Sequence, residues 1–158
     1  AEPAPEGAEE IEMRFAPNPG EDDRPLARIA SGGELSRVML ALKTLLARED
    51  GVDLLLFDEV DSGIGGAVAR AVGERLARLG QVRQVLCVTH LPVIACQARR
   101  QFRIRKHVEG GRTRAVVEPV EGEDRIGELA RMLAGDAVTE TTRRQARELL
   151  RLAAHSPS

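Results

Sequence analysis

Tryptophan and tyrosine do not occur in the sequence, and phenylalanine occurs three times among 158 residues. Single-stranded nucleic acid is commonly held by bases stacked on aromatic side chains, so a stacking platform is not expected here. Cysteine is scarce as well. Cys87 sits in the apolar run Val85 to Val88 and reads as a small core residue, and neither it nor Cys96 belongs to a cluster with metal-ligand spacing. Two thiols do not make a disulfide framework; buried, reduced thiols in a reducing cytosol are the expectation. No apolar run approaches the ~20 residues that span a bilayer. The first ten residues are acidic and carry no basic stretch ahead of an apolar one, so no signal peptide is expected. Neither sign of charge prevails: 23 basic against 25 acidic side chains leave a net charge of −2, so the chain as a whole is not an electrostatic DNA binder. Lysine occurs only at 43 and 106, neither in a glycine loop behind a strand. The Gly-x-x-x-x-Gly-Lys-[Ser/Thr] loop that cradles nucleotide phosphates therefore has no counterpart.

What is present is ordinary for a globular chain: 42% hydrophobic and 30% charged residues, in a length sufficient for one domain with a real core. The organising stretch is residues 54–66. Leu54 to Phe57 run apolar without a break, which suits a strand buried on both faces, as in a parallel sheet. Asp58 and Glu59 follow at once, then Asp61 and a glycine-rich turn. Side chains alternate along a strand, so the two adjacent acids should point to different sides at its end. Ligands of open α/β sheets gather at the carboxyl ends of strands. Two acids there are costly to desolvate unless they meet a cation or a proton. One can hold Mg²⁺ and the other a water, the Walker B arrangement of a nucleotide hydrolase. The same residues also fit a buried strand that ends in a solvated acidic turn.

Taken in order, residues 1–10 read as a disordered lead-in, 11–154 as a single lobe, and 155–158 as a frayed tail. Ile11 to Phe15 alternates as a short half-wet strand, and Pro17 to Gly20 signals a turn. Ser31 with Glu34 three residues later is a capping box. It opens a helix whose stripe is Leu35, Val38, Met39, Leu42, Leu45 and Leu46, ending near Arg48. Gly32 and Gly33 in its first turn are expensive, at roughly 1 kcal/mol each relative to alanine in a helix interior. They suit a backbone that something must approach closely. A helix N-terminus with bare amides and a serine hydroxyl favours phosphate; a plain capped helix is the alternative.

Residues 66–79 read as a second helix with Val68, Val72, Leu76 and Leu79 inward, and Gln84 to Val88 as a second buried strand. Strand, helix, strand at this spacing is a βαβ unit with parallel strands. It brings Thr89 and His90 to the rim that carries Asp58 and Glu59. A histidine beside two carboxylates at such a rim is a catalytic candidate; His107 and His155 have no such company. Pro92 leads a short helical turn over 92–98. Residues 101–108 and 112–120 read as a hairpin through Glu109-Gly110-Gly111, with Phe102 and Ile104 inward and Arg103 and Arg105 outward. Its basic residues 99–106 fit either DNA phosphates or the wet face of an edge strand. Two helices, about 124–134 and 138–153, close the chain.

Three motifs stand in one order: Ser31-Gly32-Gly33-Glu34 opening a helix, Asp58-Glu59 after a strand, Thr89-His90 after the next. Together they resemble the second half of an ABC-type ATPase head. Glu34 in the first motif and Asp58-Glu59-Val60-Asp61 in the second resemble the SMC-related DNA-repair and chromosome-structure ATPases. The finer pattern, Ala30 to Arg37, Phe57 to Gly65, Cys87 to Pro92, and Ile126 to Gly135 with Thr139 to Thr142, is similar to the RecN family of bacterial DNA-repair proteins.

That resemblance implies a fold: the C-terminal α/β lobe of an ABC-type P-loop ATPase head, lacking the Walker A lobe. It implies ATP and Mg²⁺ as cofactors, with Asp58 holding the metal, Glu59 the attacking water and His90 sensing the γ-phosphate. Ser31, Gly32, Gly33 and Glu34 would be the signature motif acting in trans, and Asp61, Ser62 and Gly63 the D-loop. It implies as partners an N-terminal Walker A lobe of the same protein, a second head in a homodimer, and DNA through the full protein, with no membrane. The location implied is the cytoplasm, at the nucleoid. The lobe alone is expected to be inactive. Heads of other SMC-like ATPases, a transporter nucleotide-binding subunit and a non-catalytic interaction module are the rival readings.

Overall fold

The apolar run at 54–57 and the one at 84–87 pair as expected, and the rest of the chain is laid around that pair. In the computed structural model the described residues are 7, 11–16, 20–28, 31–47 and 51–155. Most of the acidic lead-in, residues 17–19 of the first turn, residues 29–30, residues 48–50 and residues 156–158 lie outside them; the first helix ends at Leu45, short of the expected Arg48.

Two short strands, β1 (Arg14–Phe15) and β2 (Arg24–Pro25), pair antiparallel. Arg14 ties them through ion pairs of 2.8 Å to Asp23 and to Glu12. Helix α1 (Gly32–Leu45) leads to β3 (Leu54–Phe57), α2 (Gly66–Leu79) and β4 (Gln84–Cys87). β3 and β4 are parallel, in register from Leu54↔Gln84 to Phe57↔Cys87. The Val88 amide donates to the Phe57 carbonyl at 2.9 Å and extends the ladder toward His90. Then come α3 (Pro92–Ala95), the hairpin strands β5 (Gln101–Glu109) and β6 (Arg112–Val120), and helices α4 (Gly122–Ala134) and α5 (Glu140–Ala154). Among the described residues there are three two-stranded sheets.

The core is in two parts. The first gathers Leu40 of α1, Phe57 and Val60 around β3, Ala69, Val72, Leu76 and Leu79 of α2, and Ile94 of α3. The second gathers Ala95, Cys96, Leu129, Ala130 and Ala146 between α3, α4 and α5. The short helix α3 thus belongs to both. It can lie so close to α2 because residue 73 is glycine: a Cβ there would stand 3.3 Å from Ile94 Cα and from the Val93 carbonyl oxygen. Arg125 ties the second part together, donating to the Ala98 carbonyl at 2.7 Å, the Cys96 carbonyl at 3.2 Å and Gln101 Oε1 at 3.2 Å.

Several expectations about faces are overturned. The β3–β4 pair is covered on one face only: Leu55, Phe57, Val85 and Cys87 point into the core, whereas Leu54, Leu56, Leu86 and Val88 are exposed, Leu56 at 64%. A sheet of two strands with helices on one side has nothing to lay on the other, although parallel sheets are ordinarily covered on both. On α1, Leu40 is the apolar side chain fully buried, and Leu35, Met39, Leu45 and Leu46 of the expected stripe are exposed. On α2 the inward position is Ala69, not Val68.

The hairpin turns through Gly110 and Gly111 at φ +57° and +75°, the left-handed pair that a two-residue loop requires. Its faces are reversed from expectation. Phe102 and Ile104 are 50% and 54% exposed, while Gln101 is buried. The alternate face carries Gln101 and Arg103, and α4 covers it through Arg125 and Met132, whose sulfur lies 3.8 Å from Gln101 Nε2. Because the side-chain period is two, placing Gln101 inward turns Phe102 and Ile104 out.

Candidate functional site

The chain turns sharply as it leaves β3. Asp58 is exposed, and its Oδ1 accepts the Glu59 amide at 2.9 Å. Glu59 then adopts φ +57°, the one non-glycine residue with positive φ among those described. A left-handed conformation at a residue with a Cβ costs roughly 1–2 kcal/mol and persists only where the surroundings impose it. Here the impositions are visible. Val60 is fully buried, and the Ser62 amide donates back to the Glu59 carbonyl at 2.9 Å.

The turn delivers Asp61 into the interior, 4% exposed, beneath the end of β4. Its Oδ2 accepts the Thr89 hydroxyl at 2.5 Å and the His90 amide at 2.9 Å, and lies 3.0 Å from His90 Nδ1. Burial pushes this carboxyl upward. The Thr89 hydroxyl, the His90 amide and the nearby imidazole outweigh it and hold the group below its ordinary value. The carboxylate is therefore ionised near neutrality, and His90 Nδ1 lies against it. The imidazole itself is 73% exposed, and Nδ1 is its ring nitrogen beside the carboxylate.

The first turn of α1 lies directly on this turn. Ser31 is the N-cap, its Oγ accepting the Glu34 amide at 3.4 Å. A Cβ at Gly32 would come within 2.7 Å of Glu59 Oε2, so the Glu59 carboxylate sits over the start of the helix, where the macrodipole favours a negative charge. A Cβ at Gly33 would meet Ser62 Cβ at 2.8 Å and the Glu59 carbonyl oxygen at 3.0 Å. The close approach inferred from the glycine pair is real, and at Gly33 the approaching group is the chain's own loop. Ser36 Oγ donates to the Asp58 carbonyl at 2.9 Å, and Arg37 Nη1 donates to the carbonyls of Ser62 at 2.9 Å and Val60 at 3.3 Å.

Asp58, Glu59, Asp61, Ser62, Thr89 and His90 therefore share one edge with Ser31, Gly32 and Gly33; Glu34 is joined to it through its amide, and Gly63 closes the turn at φ +70°. Two contributors escaped sequence reasoning: Ser36 and Arg37. Their signal was spacing, since they lie three and four residues beyond Gly33 and so on its side of the helix. Among the described residues no group of three or more histidine, cysteine or acidic side chains is gathered to hold a metal on its own. Asp58 fits Mg²⁺ in the other common manner, as one hard carboxylate at a strand end whose cation takes its remaining ligands from phosphate and water.

No family model matches the chain. Curated relatives do. The DNA repair protein RecN of Streptomyces coelicolor is 52% identical over 149 residues, which is 94% of this chain and 26% of that protein. RecN of Treponema pallidum is 51% identical over 150 residues, and RecN of Bacillus subtilis 41% over 148. In sequence, the chain is similar to a segment of RecN. It spans about a quarter of the length of the RecN relatives it matches. The RecN match covers nearly the whole chain and so takes in residues 31–90, the entire edge described above. Among solved structures, a chain described under "Structural biochemistry of ATP-driven dimerization and DNA stimulated activation of SMC ATPases" is similar, with a TM-score of 0.49 and 19% identity, covering 75% of this chain and 70% of that one. No helix among the described residues is long and apolar enough to cross a membrane.

Proposed function

We propose that this chain is the C-terminal lobe of an SMC-like ATPase head that acts in DNA double-strand-break repair and recombination; its RecN relatives are named for DNA repair. One observation carries the reading. A metal-suited carboxylate, a second acid beside it and an outward-facing imidazole stand on one edge, in a chain that has no phosphate loop of its own. Bound ATP and Mg²⁺ supply the scissile phosphate bond and neutralise its developing charge. Asp58 holds the cation. Glu59 orients the attacking water and takes its proton. His90 presents Nε2 toward the terminal phosphate, and Asp61 keeps it presented. Ser31, Gly32, Gly33 and Glu34 offer a helix N-terminus to nucleotide gripped by a second head, so that ATP draws two heads together and hydrolysis releases them, coupled to DNA holding or end-bridging.

The partner that completes the head is the N-terminal lobe bearing the Walker A loop. The bare sheet face of Leu54, Leu56, Leu86 and Val88 fits a surface that such a lobe covers. Finishing the burial of these four half-exposed side chains contributes on the order of 1 kcal/mol each. The test is to mix this chain with the Walker A lobe of a RecN relative and measure ATP hydrolysis with and without linear DNA. The mixture should hydrolyse ATP when neither part does, and DNA should raise the rate. A mixture no more active than the Walker A lobe by itself would refute the reading.

A further inference from the structure

The function above leaves Arg37 unused, although it makes the most direct link between the two halves of the site. Its Nη1 reaches the carbonyl of Val60 and the carbonyl of Ser62, the residues on either side of Asp61. A peptide carbonyl cannot turn without turning the residue next to it. The Val60 carbonyl belongs to the peptide that precedes Asp61, so gripping it fixes that plane; gripping the Ser62 carbonyl as well restrains the far side of the turn, with Asp61 held between the two. The Asp61 carboxylate is 3.0 Å from His90 Nδ1. One residue earlier on the helix, Ser36 holds the Asp58 carbonyl. Between them, two successive side chains of α1 grip three carbonyls of the five-residue segment 58–62. Gly33 is what allows the helix to come this near, and the Arg37 guanidinium passes within 3.0 Å of where a Cβ at Gly33 would be.

We infer that Arg37 is a positioning residue: by clamping the carbonyls of Val60 and Ser62 it holds Asp61 beneath His90 and so keeps the Nε2 edge of the imidazole facing the nucleotide side. The clamp runs from the helix whose N-terminus serves one nucleotide to the loop whose histidine serves another. It therefore ties the state of the Ser31–Gly33 turn to the orientation of His90. Both bonds leave one nitrogen, Nη1, whose donor directions are fixed by the planar guanidinium; the ammonium of lysine, on a shorter flexible stem with rotating donors, keeps that geometry only in part. The inference rests on the ATPase reading for its catalytic consequence, but not for its structural one.

The structural consequence is read in this chain alone, from the nitrogen chemical shifts of His90 in ¹⁵N-labelled protein. The unsubstituted chain should show the Nδ1–H tautomer. Asp61→Asn and Arg37→Ala should both lose that preference, while Arg37→Lys keeps part of it. Should Arg37→Ala fail to fold, Arg37→Gln, which keeps the stem and one donor pair, carries the same expectation. The catalytic consequence is read in the head assembled with the Walker A lobe. Arg37→Ala should lower kcat roughly 10- to 100-fold, the scale of a small misplacement of a catalytic group, with KM for ATP changed less than about threefold. An unchanged His90 tautomer in folded Arg37→Ala or Arg37→Gln protein overturns the clamp. If the tautomer changes while Glu59→Gln leaves turnover intact, the clamp stands and the ATPase reading falls.

Discussion

Gly32 and Gly33 are neighbours in one helical turn, and alanine at each should have opposite consequences for stability. At Gly33 an added methyl would stand 2.8 Å from Ser62 Cβ and 3.0 Å from the Glu59 carbonyl oxygen, beside a turn already held in a left-handed conformation. Those are backbone and near-backbone atoms, so the helix must lift from the loop, and overpacking of this kind costs about 1–3 kcal/mol. The gain in helix propensity offsets at most about 1 kcal/mol. The net expectation is a loss of roughly 1–2 kcal/mol, which for a chain of this length lowers Tm by about 2–8 °C. At Gly32 the near atom is Glu59 Oε2 at 2.7 Å, the far end of a side chain that can rotate away. Gly32→Ala should therefore be neutral or stabilising by up to about 1 kcal/mol. Urea denaturation of the two variants beside the unsubstituted chain, read by circular dichroism, measures both. Gly33→Ala as stable as the parent, or Gly32→Ala the worse of the two, would refute the packing of α1 on the 59–62 turn.

The low position of the Asp61 carboxyl has a pH signature. A carboxylate depressed in the folded state adds stability that is complete above its ordinary value and is lost as pH falls through the folded one. Between about pH 6 and about pH 3, the parent should therefore lose more stability than Asp61→Asn, and equal losses would remove the network from the account. Leu56→Asp should leave the Tm of the chain alone within about 2 °C, because the side chain is 64% exposed, yet weaken association with the Walker A lobe in a pull-down or by calorimetry. Undiminished association would mean that the sheet face is covered by something else. The chain alone should show no ATP binding below about millimolar concentration by calorimetry, since the phosphate cradle is not in its sequence.

The βαβ unit was legible because its signals are local: unbroken apolar runs at 54–57 and 84–87, and a helix of 14 residues between them, closed by Gly80. That Asp58-Glu59 and Thr89-His90 leave the same end of the parallel pair followed from topology alone. What could not be read was which faces are covered. The alternation Phe102, Arg103, Ile104, Arg105 turns its apolar side inward on any local rule, yet α4 takes the side with Gln101, whose amide meets Arg125 and Met132 there, while Arg103 pairs across the hairpin with Glu118 of β6. The β3–β4 face is the same kind of case: its leucines are apolar as a buried strand requires, and nothing among the described residues lies over them. Asp61 read as one acid of a glycine-rich loop. Its pairing with a histidine 29 residues later depends on the positive φ at Glu59, which no sequence pattern announces.

The account stands most directly on the turnover of a head assembled from this chain and a Walker A lobe, compared with the same head carrying Glu59→Gln. Removing the charge of Glu59 should leave ATP binding and head pairing in place while hydrolysis falls by about 100-fold or more, as the loss of a general base requires. Turnover equal to that of the unsubstituted head would contradict it.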